Sequence, residues 1–141
     1  MERVSKRNYY LDIAQTVLER ATCLRRVYGA IIVKNDEIIS TGYNGAPRGR
    51  KNCVDLGSCT REQLKVPRGE RYELCRSVHA EANAIISAQR RDMVGATIYL
   101  VGRDARGGVN ARGRHRLAGR VTGGPPAAGP PATPPASSPC R

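Results

Sequence analysis

The residues with most chemistry for their number are His79 and Glu81, separated by Ala80 and followed by Ala82-Asn83-Ala84-Ile85-Ile86. An imidazole can hold a metal such as zinc, and a nearby carboxylate can pass protons. Together they suit hydrolysis in which a metal activates water and a general acid/base moves its proton. Inside a helix, residues two apart do not share a face, so this pair can cooperate only in a first turn, where the chain is still changing direction. The positive end of a helix there would favour a hydroxide. A bare His-x-Glu also arises by chance, and alone it reads first as a solvent-facing carboxylate beside a core histidine satisfied by hydrogen bonds.

The elements that must position this pair follow from periodicity. From Ser5 to about Thr22, Tyr9, Tyr10, Ile13, Ala14, Val17, Leu18 and Ala21 recur at three- and four-residue spacing, with Ser5 as N-cap, which predicts an amphipathic helix. Tyr28 to Val33 and Glu37 to Thr41 are β-prone runs joined at Lys34-Asn35-Asp36, which predicts a hairpin. A Gly/Pro loop with arginines, Gly42-Tyr43-Asn44-Gly45-Ala46-Pro47-Arg48-Gly49-Arg50, leads into an irregular Cys-bearing stretch to about Arg76. A second helix is expected from about Val78 to Arg91 with Ser77 as cap, then a strand from Thr97 to Val101. The order helix, strand, strand, helix, strand indicates an α/β fold with helices packed on a sheet.

Composition divides the 141 residues near Arg106. All eight isoleucines, six tyrosines and twelve acidic residues lie in 1–106, which reads as one domain. Residues 107–141 hold seven Gly, seven Pro, six Ala and five Arg, with no Lys, Asp, Glu, Ile, Tyr or Met, too little apolar surface to offset the entropy of ordering, so disorder is expected there. The formal charge of +12 divides into +7 and +5 across the same boundary. A basic balance suits nucleic acid, acidic membranes or phosphorylated small molecules alike. The absence of Trp and Phe weakens a base-stacking platform. No apolar run reaches a membrane span and no secretory leader opens the chain, so the expected compartment is the cytoplasm. Cys23, Cys53, Cys59, Cys75 and Cys140 are then thiols or metal ligands rather than a disulfide frame.

From Ala21 to Val101 the chain resembles the deoxycytidylate deaminases of the cytidine and deoxycytidylate deaminase superfamily. The resemblance rests on Tyr28-Gly29-Ala30-Ile31-Ile32-Val33, Ser40-Thr41-Gly42-Tyr43-Asn44-Gly45-Ala46-Pro47-Arg48-Gly49, Ser77-Val78-His79-Ala80-Glu81-Ala82-Asn83-Ala84-Ile85 and Gly95-Ala96-Thr97-Ile98-Tyr99, in that order. It implies a three-layer α/β/α sandwich, a catalytic Zn2+ with His79 as ligand, Glu81 as the proton-shuttling acid/base, and Asn44 and Gly45 in the loop that holds sugar and phosphate. The reaction would convert dCMP and water to dUMP and ammonia. Arg25 and Arg48 are candidate phosphate partners, since a charged fork suits a phosphate, although each is also readable as a solvated surface arginine. The resemblance further implies a homo-oligomer, dCTP or dTTP effectors, and a structural zinc for which Cys23, Cys53, Cys59 and Cys75 would be the thiolates. The gap from Cys53 to Cys59 is wider than usual for such a site, and separate reduced thiols are the other reading. Cys75 as a partner of His79 finds no counterpart in the family.

The departure from the family is as specific as the match. After the strand at Thr97–Val101 the family has a turn with two cysteines that complete the catalytic zinc site, then a helix and further strands. Here Gly102-Arg103-Asp104-Ala105-Arg106 leads into the Gly/Pro/Ala/Arg segment, whose one cysteine is Cys140. A catalytic zinc needs three protein ligands, so impaired activity is expected. The sheet is expected to be truncated after its third strand, with an open edge. The abrupt change to residues of GC-rich codons reads as translation out of frame. The nucleotide-type loop favours dCMP over the substrates of other superfamily deaminases, which act on nucleosides, guanine, a riboflavin precursor or transfer-RNA adenosine. A basic nucleic-acid-binding protein is the competing class, and it leaves the ordered motifs unexplained.

Overall fold

The computed structural model describes residues 1–105 and the backbone of residues 115–120. Helix α1 spans Lys6–Leu18, and the Ser5 hydroxyl accepts from the Asn8 N–H at 3.3 Å, as the sequence predicts for a cap. It buries Tyr10, Leu11, Ala14 and Leu18 along one stripe. The helix ends short of Thr22: Glu19, Arg20 and Ala21 donate only three residues back, to the carbonyls of Thr16, Val17 and Leu18, and the Thr22 N–H then donates to the Asn44 carbonyl at 3.1 Å.

Strands β1 (Arg26–Lys34) and β2 (Glu37–Tyr43) form the expected antiparallel hairpin. Its turn residues Asn35 and Asp36 have φ of 51° and 66°, the left-handed pair that a two-residue turn between twisted strands requires and that Asn and Asp tolerate. Side chains of β1 alternate. Val27, Ile31 and Val33 pack with α1, whereas Ala30 and Ile32 pack with Ala80, Ala84, Met93 and Ala96. Helices therefore cover both faces of the sheet.

Two glycines let the backbones approach. A Cβ on Gly29 would collide with the Ala14 carbonyl and Leu18 amide of α1, and one on Gly42 with the Ala80 carbonyl and Ala84 amide on the other face. The Cys-bearing stretch is not wholly irregular: it holds short helices α2 (Cys53–Leu56) and α3 (Thr60–Gln63) and a 3₁₀ turn at Tyr72–Leu74.

The single helix expected at Val78–Arg91 is instead α4 (Ala80–Ile86), capped by His79 rather than Ser77, followed by α5 (Arg90–Met93). Extended backbone at Gln89, with ψ 138°, separates the two. Strand β3 runs from Thr97 to Asp104, three residues beyond the expected end. The sheet order is β2-β1-β3-β4, with every neighbouring pair antiparallel.

The fourth strand, β4 (His115–Arg120), corrects the expected truncation after the third strand, since it pairs along β3 from Thr97↔Arg120 to Gly102↔His115. An antiparallel return needs only a short connection, whereas a parallel neighbour would need a crossover of a dozen or more residues. Main-chain pairing also places little demand on side-chain type. Strand β4 lies inside the span expected to be disordered, and that expectation for 106–114 and 121–141 falls outside the described residues. Among the described residues no helix is long and apolar enough to cross a membrane.

Candidate functional site

The loop after β2 and the start of α4 are joined by one antiparallel bridge. Val78 donates its N–H to the Gly45 carbonyl at 2.8 Å, and the Gly45 N–H donates to the Val78 carbonyl at 3.2 Å. That bridge holds Val78 out of helical conformation, so His79 becomes the N-cap, with φ −62° and ψ 149°, and Glu81 falls in the first turn. Two further bonds stitch α4 to β2: Asn83 Nδ2 donates to the Tyr43 carbonyl at 2.8 Å and Ser40 Oγ to the Ala84 carbonyl at 2.6 Å.

In this setting His79 Nδ1 lies 3.8 Å from Glu81 Oε1, with the side chains 60% and 42% exposed. The separation is too long for a hydrogen bond but close enough for one small molecule to touch both. The two line a cavity of about 490 Å³, within the usual range for small-ligand sites.

Asn44 lies in the same wall, 7% exposed. Its Oδ1 accepts from the Tyr28 N–H at 2.8 Å and its Nδ2 donates to the Arg26 carbonyl at 2.7 Å. Each amide group retains one further bonding position, so Asn44 can anchor β1 and still meet a ligand. Gly45 is buried behind it, where a Cβ would crowd the Thr22 hydroxyl. Arg25 lines the cavity and pairs with Glu62, Nε to Oε1 3.3 Å. Arg48 is exposed and is not among the lining residues. The structure thus brings Arg25, Asn44, His79 and Glu81 to one cavity and leaves Arg48 outside.

Cys23, Cys53, Cys59 and Cys75 all line this cavity as free thiols. Burial pushes the Cys53 thiol above its ordinary range, and the neighbouring thiols of Cys23, Cys75 and Cys59 add to the shift. Even so, among the described residues no three His, Cys, Asp or Glu side chains converge closely enough to hold a metal. Four thiolates around one zinc stand about 3.8 Å apart, given Zn–S near 2.3 Å, whereas electrostatic coupling between thiols reaches further than that. A catalytic zinc also fails to fit the described residues: it needs three protein ligands and finds one imidazole beside a carboxylate. Cys140 lies outside the described residues.

Sequence reasoning passed over Arg61 and Tyr72, which also line the cavity. Arg61 falls in the stretch expected to be irregular, yet it is 6% exposed because it reaches across to the loop at Pro67–Glu70. No local spacing signals that closure.

Comparison with known proteins gives the family. The family described as cytidine and deoxycytidylate deaminase zinc-binding region matches residues 4–106, ending where the composition changes. The chain is similar to the deoxycytidylate deaminase of Mycobacterium phage D29, 39% identical over 105 residues that cover 71% of this chain and 80% of that protein. It is also similar to the deoxycytidylate deaminase of Schizosaccharomyces pombe, 36% identical over 88 residues covering 62% of this chain. The corresponding protein of Saccharomyces cerevisiae is 39% identical over 99 residues covering 69% of this chain. The chain spans only 27% and 30% of those two yeast proteins. A crystal structure of dCMP deaminase from the cyanophage S-TIM5, in complex with dCMP and dUMP, shares 23% identity at TM-score 0.48, covering 71% of this chain and 67% of that one. By its matched motifs and the extent of the match, the chain belongs to the cytidine and deoxycytidylate deaminase family.

Proposed function

We propose that the chain is built for hydrolytic deamination of dCMP to dUMP and ammonia, and that as written it is impaired in that reaction. The observation that carries this reading is the placement of His79 and Glu81 together on the opening turn of α4, in the wall of a cavity of nucleotide size. The reaction adds a water oxygen to the ring carbon that bears the amine and breaks the carbon–nitrogen bond. Glu81 takes a proton from the water and delivers one to the leaving amine, which departs as ammonia. Asn44 and Arg25 hold the sugar and phosphate, with Gly45 behind Asn44 shaping the loop and Arg48 a partner only once a ligand extends beyond the cavity.

Impairment follows from the metal site. The family's zinc would find His79 here and no paired cysteines after β3, so the water lacks the activation that the family's metal provides. Cys23, Cys53, Cys59 and Cys75 share one cavity as separate reduced thiols, since among the described residues no three such side chains converge on a metal. A homo-oligomer accompanies this reading, supported by the exposed Ile85 and Ile86 on α4.

The test is metal analysis with a dCMP turnover assay, on this chain and on one whose reading frame after Asp104 is restored. Ammonia release near background from the first and clear turnover by the second support the proposal. Equal activity of the two would remove the impairment, and salt-sensitive nucleic-acid binding without turnover in either would favour the other class.

A further inference from the structure

Tyr72 leaves half its surface in solvent at 51% exposure, so core packing does not fix it. Its neighbours do. The Arg61 guanidinium carbon sits 4.3 Å from the Tyr72 ring centroid, and the His79 ring lies 5.7 Å from the same centroid at an interplanar angle of 55°. Arg61 is itself held from behind, its Nη2 donating to the Glu70 carbonyl at 2.6 Å and to the Pro67 carbonyl at 3.4 Å. Its Nε is buried without a hydrogen-bond partner among the described residues, an unusual state for a guanidinium that the stack on the tyrosine accounts for.

The backbone points the same way. Arg71, just before the ring, has φ 50° and ψ 49°, a left-handed conformation that a non-glycine residue keeps only where its surroundings impose it. The His79 imidazole needs such support, because Glu81 at 3.8 Å is too far to fix it by a hydrogen bond.

We propose that Arg61 and Tyr72 are positioning residues for His79: Arg61 clamps the loop before Tyr72 and stacks on its ring, and the ring sets the orientation of the imidazole toward Glu81 and the cavity. This rests on the reading of His79 as the site's histidine. Neither residue touches the reacting atoms; both act through His79.

The chain has two histidines, His79 and His115, so the full protein carrying isotope-labelled histidine gives two imidazole signals, and His79→Asn identifies one by its loss. At one fixed pH, Tyr72→Leu is expected to move the His79 signal to the position of a free imidazole while His115 stays in place. Tyr72→Phe, which keeps the ring, restores the native position, and Arg61→Met moves the signal part of the way. An unmoved His79 signal in Tyr72→Leu overturns the proposal, and an unmoved one in Arg61→Met removes Arg61 from it. Tyr72 is half exposed, so its variants keep the core and decide the question even where Arg61→Met loosens the loop. A native His79 signal in a frame-restored chain that does not deaminate dCMP would defeat the functional reading and leave the positioning pair standing.

Discussion

Asn44 and His79 sit on the two strands of the same Gly45–Val78 bridge, and they are held in opposite ways. Asn44 is buried, with both ends of its amide bonded to β1 and its own main chain bonded to Tyr28 and Thr22. His79 projects from a helix end with more than half of its side chain in solvent. The first is scaffold that also faces the cavity; the second is chemistry waiting for partners. Under the proposed function, the half of the site built on Asn44 persists whether or not the zinc half is complete, because its bonds are made to backbone that the hairpin already fixes.

The strongest way to sharpen this contrast is to supply what the metal half lacks. A chain with its frame restored after Asp104, carrying the paired cysteines, should bind zinc and gain dCMP turnover by about 10³-fold or more, since a metal supplies several kcal/mol of transition-state stabilisation and each 1.4 kcal/mol is tenfold. Metal content and ammonia release measure it. Restored cysteines with unchanged turnover would show that the defect lies in the scaffold half instead. In that active chain, Glu81→Gln should lower kcat by about 10²- to 10⁴-fold at unchanged metal content, the range for loss of a general acid/base.

The contrast reverses when stability is read. Asn44→Ala leaves the Tyr28 N–H and the Arg26 carbonyl without their partner and should cost about 2 kcal/mol in urea unfolding, from two half-buried groups left unpaired. His79→Ala at an exposed cap that makes no side-chain capping bond should change stability by less than about 0.5 kcal/mol. Similar losses at the two positions would break the comparison.

What could be read from the sequence follows the range of the forces involved. The Ser5 cap, the Asn35-Asp36 turn and the pairing of His79 with Glu81 in a first turn are local, and each was legible within a few residues. The start of α4 at Ala80 was not, because it depends on a bridge from Val78 to Gly45, 33 positions earlier. Arg61 was missed for the same reason, its burial coming from carbonyls at Pro67 and Glu70 and from the ring of Tyr72. Strand β4 was missed because the composition around it argued against a core, while pairing on the β3 edge is a main-chain matter. Within the candidate site, Arg25, Asn44, His79 and Glu81 are named together from the sequence and line one cavity, whereas Arg48 looks like Arg25 in sequence and does not reach it.

The smallest expected effect lies far from the site, at the hairpin tip, and it tests whether the scaffold is independent of the chemistry. Tyr10 donates its hydroxyl to Asp36 Oδ1, and Lys6 Nζ lies 2.9 Å from Asp36 Oδ2. The bond to Asp36, then burial and the nearby carboxylate charge, push the Tyr10 phenol from 10.0 to about 12. The same bond, then Lys6, holds the Asp36 carboxyl below its ordinary range. A raised phenol contributes stability that is complete below pH 10 and is lost as pH climbs toward about 12. A lowered carboxyl contributes stability present above its unfolded value and lost as pH falls through its folded one. Tyr10→Phe should therefore flatten the alkaline arm of a Tm-against-pH profile and weaken the acid arm through Asp36, with both changes small because Asp36 stands in solvent. The same variant in the frame-restored chain should leave dCMP turnover at neutral pH unchanged; a parallel fall in turnover would mean that the hairpin tip and the cavity are coupled through β1, and the separation of scaffold from chemistry would fail.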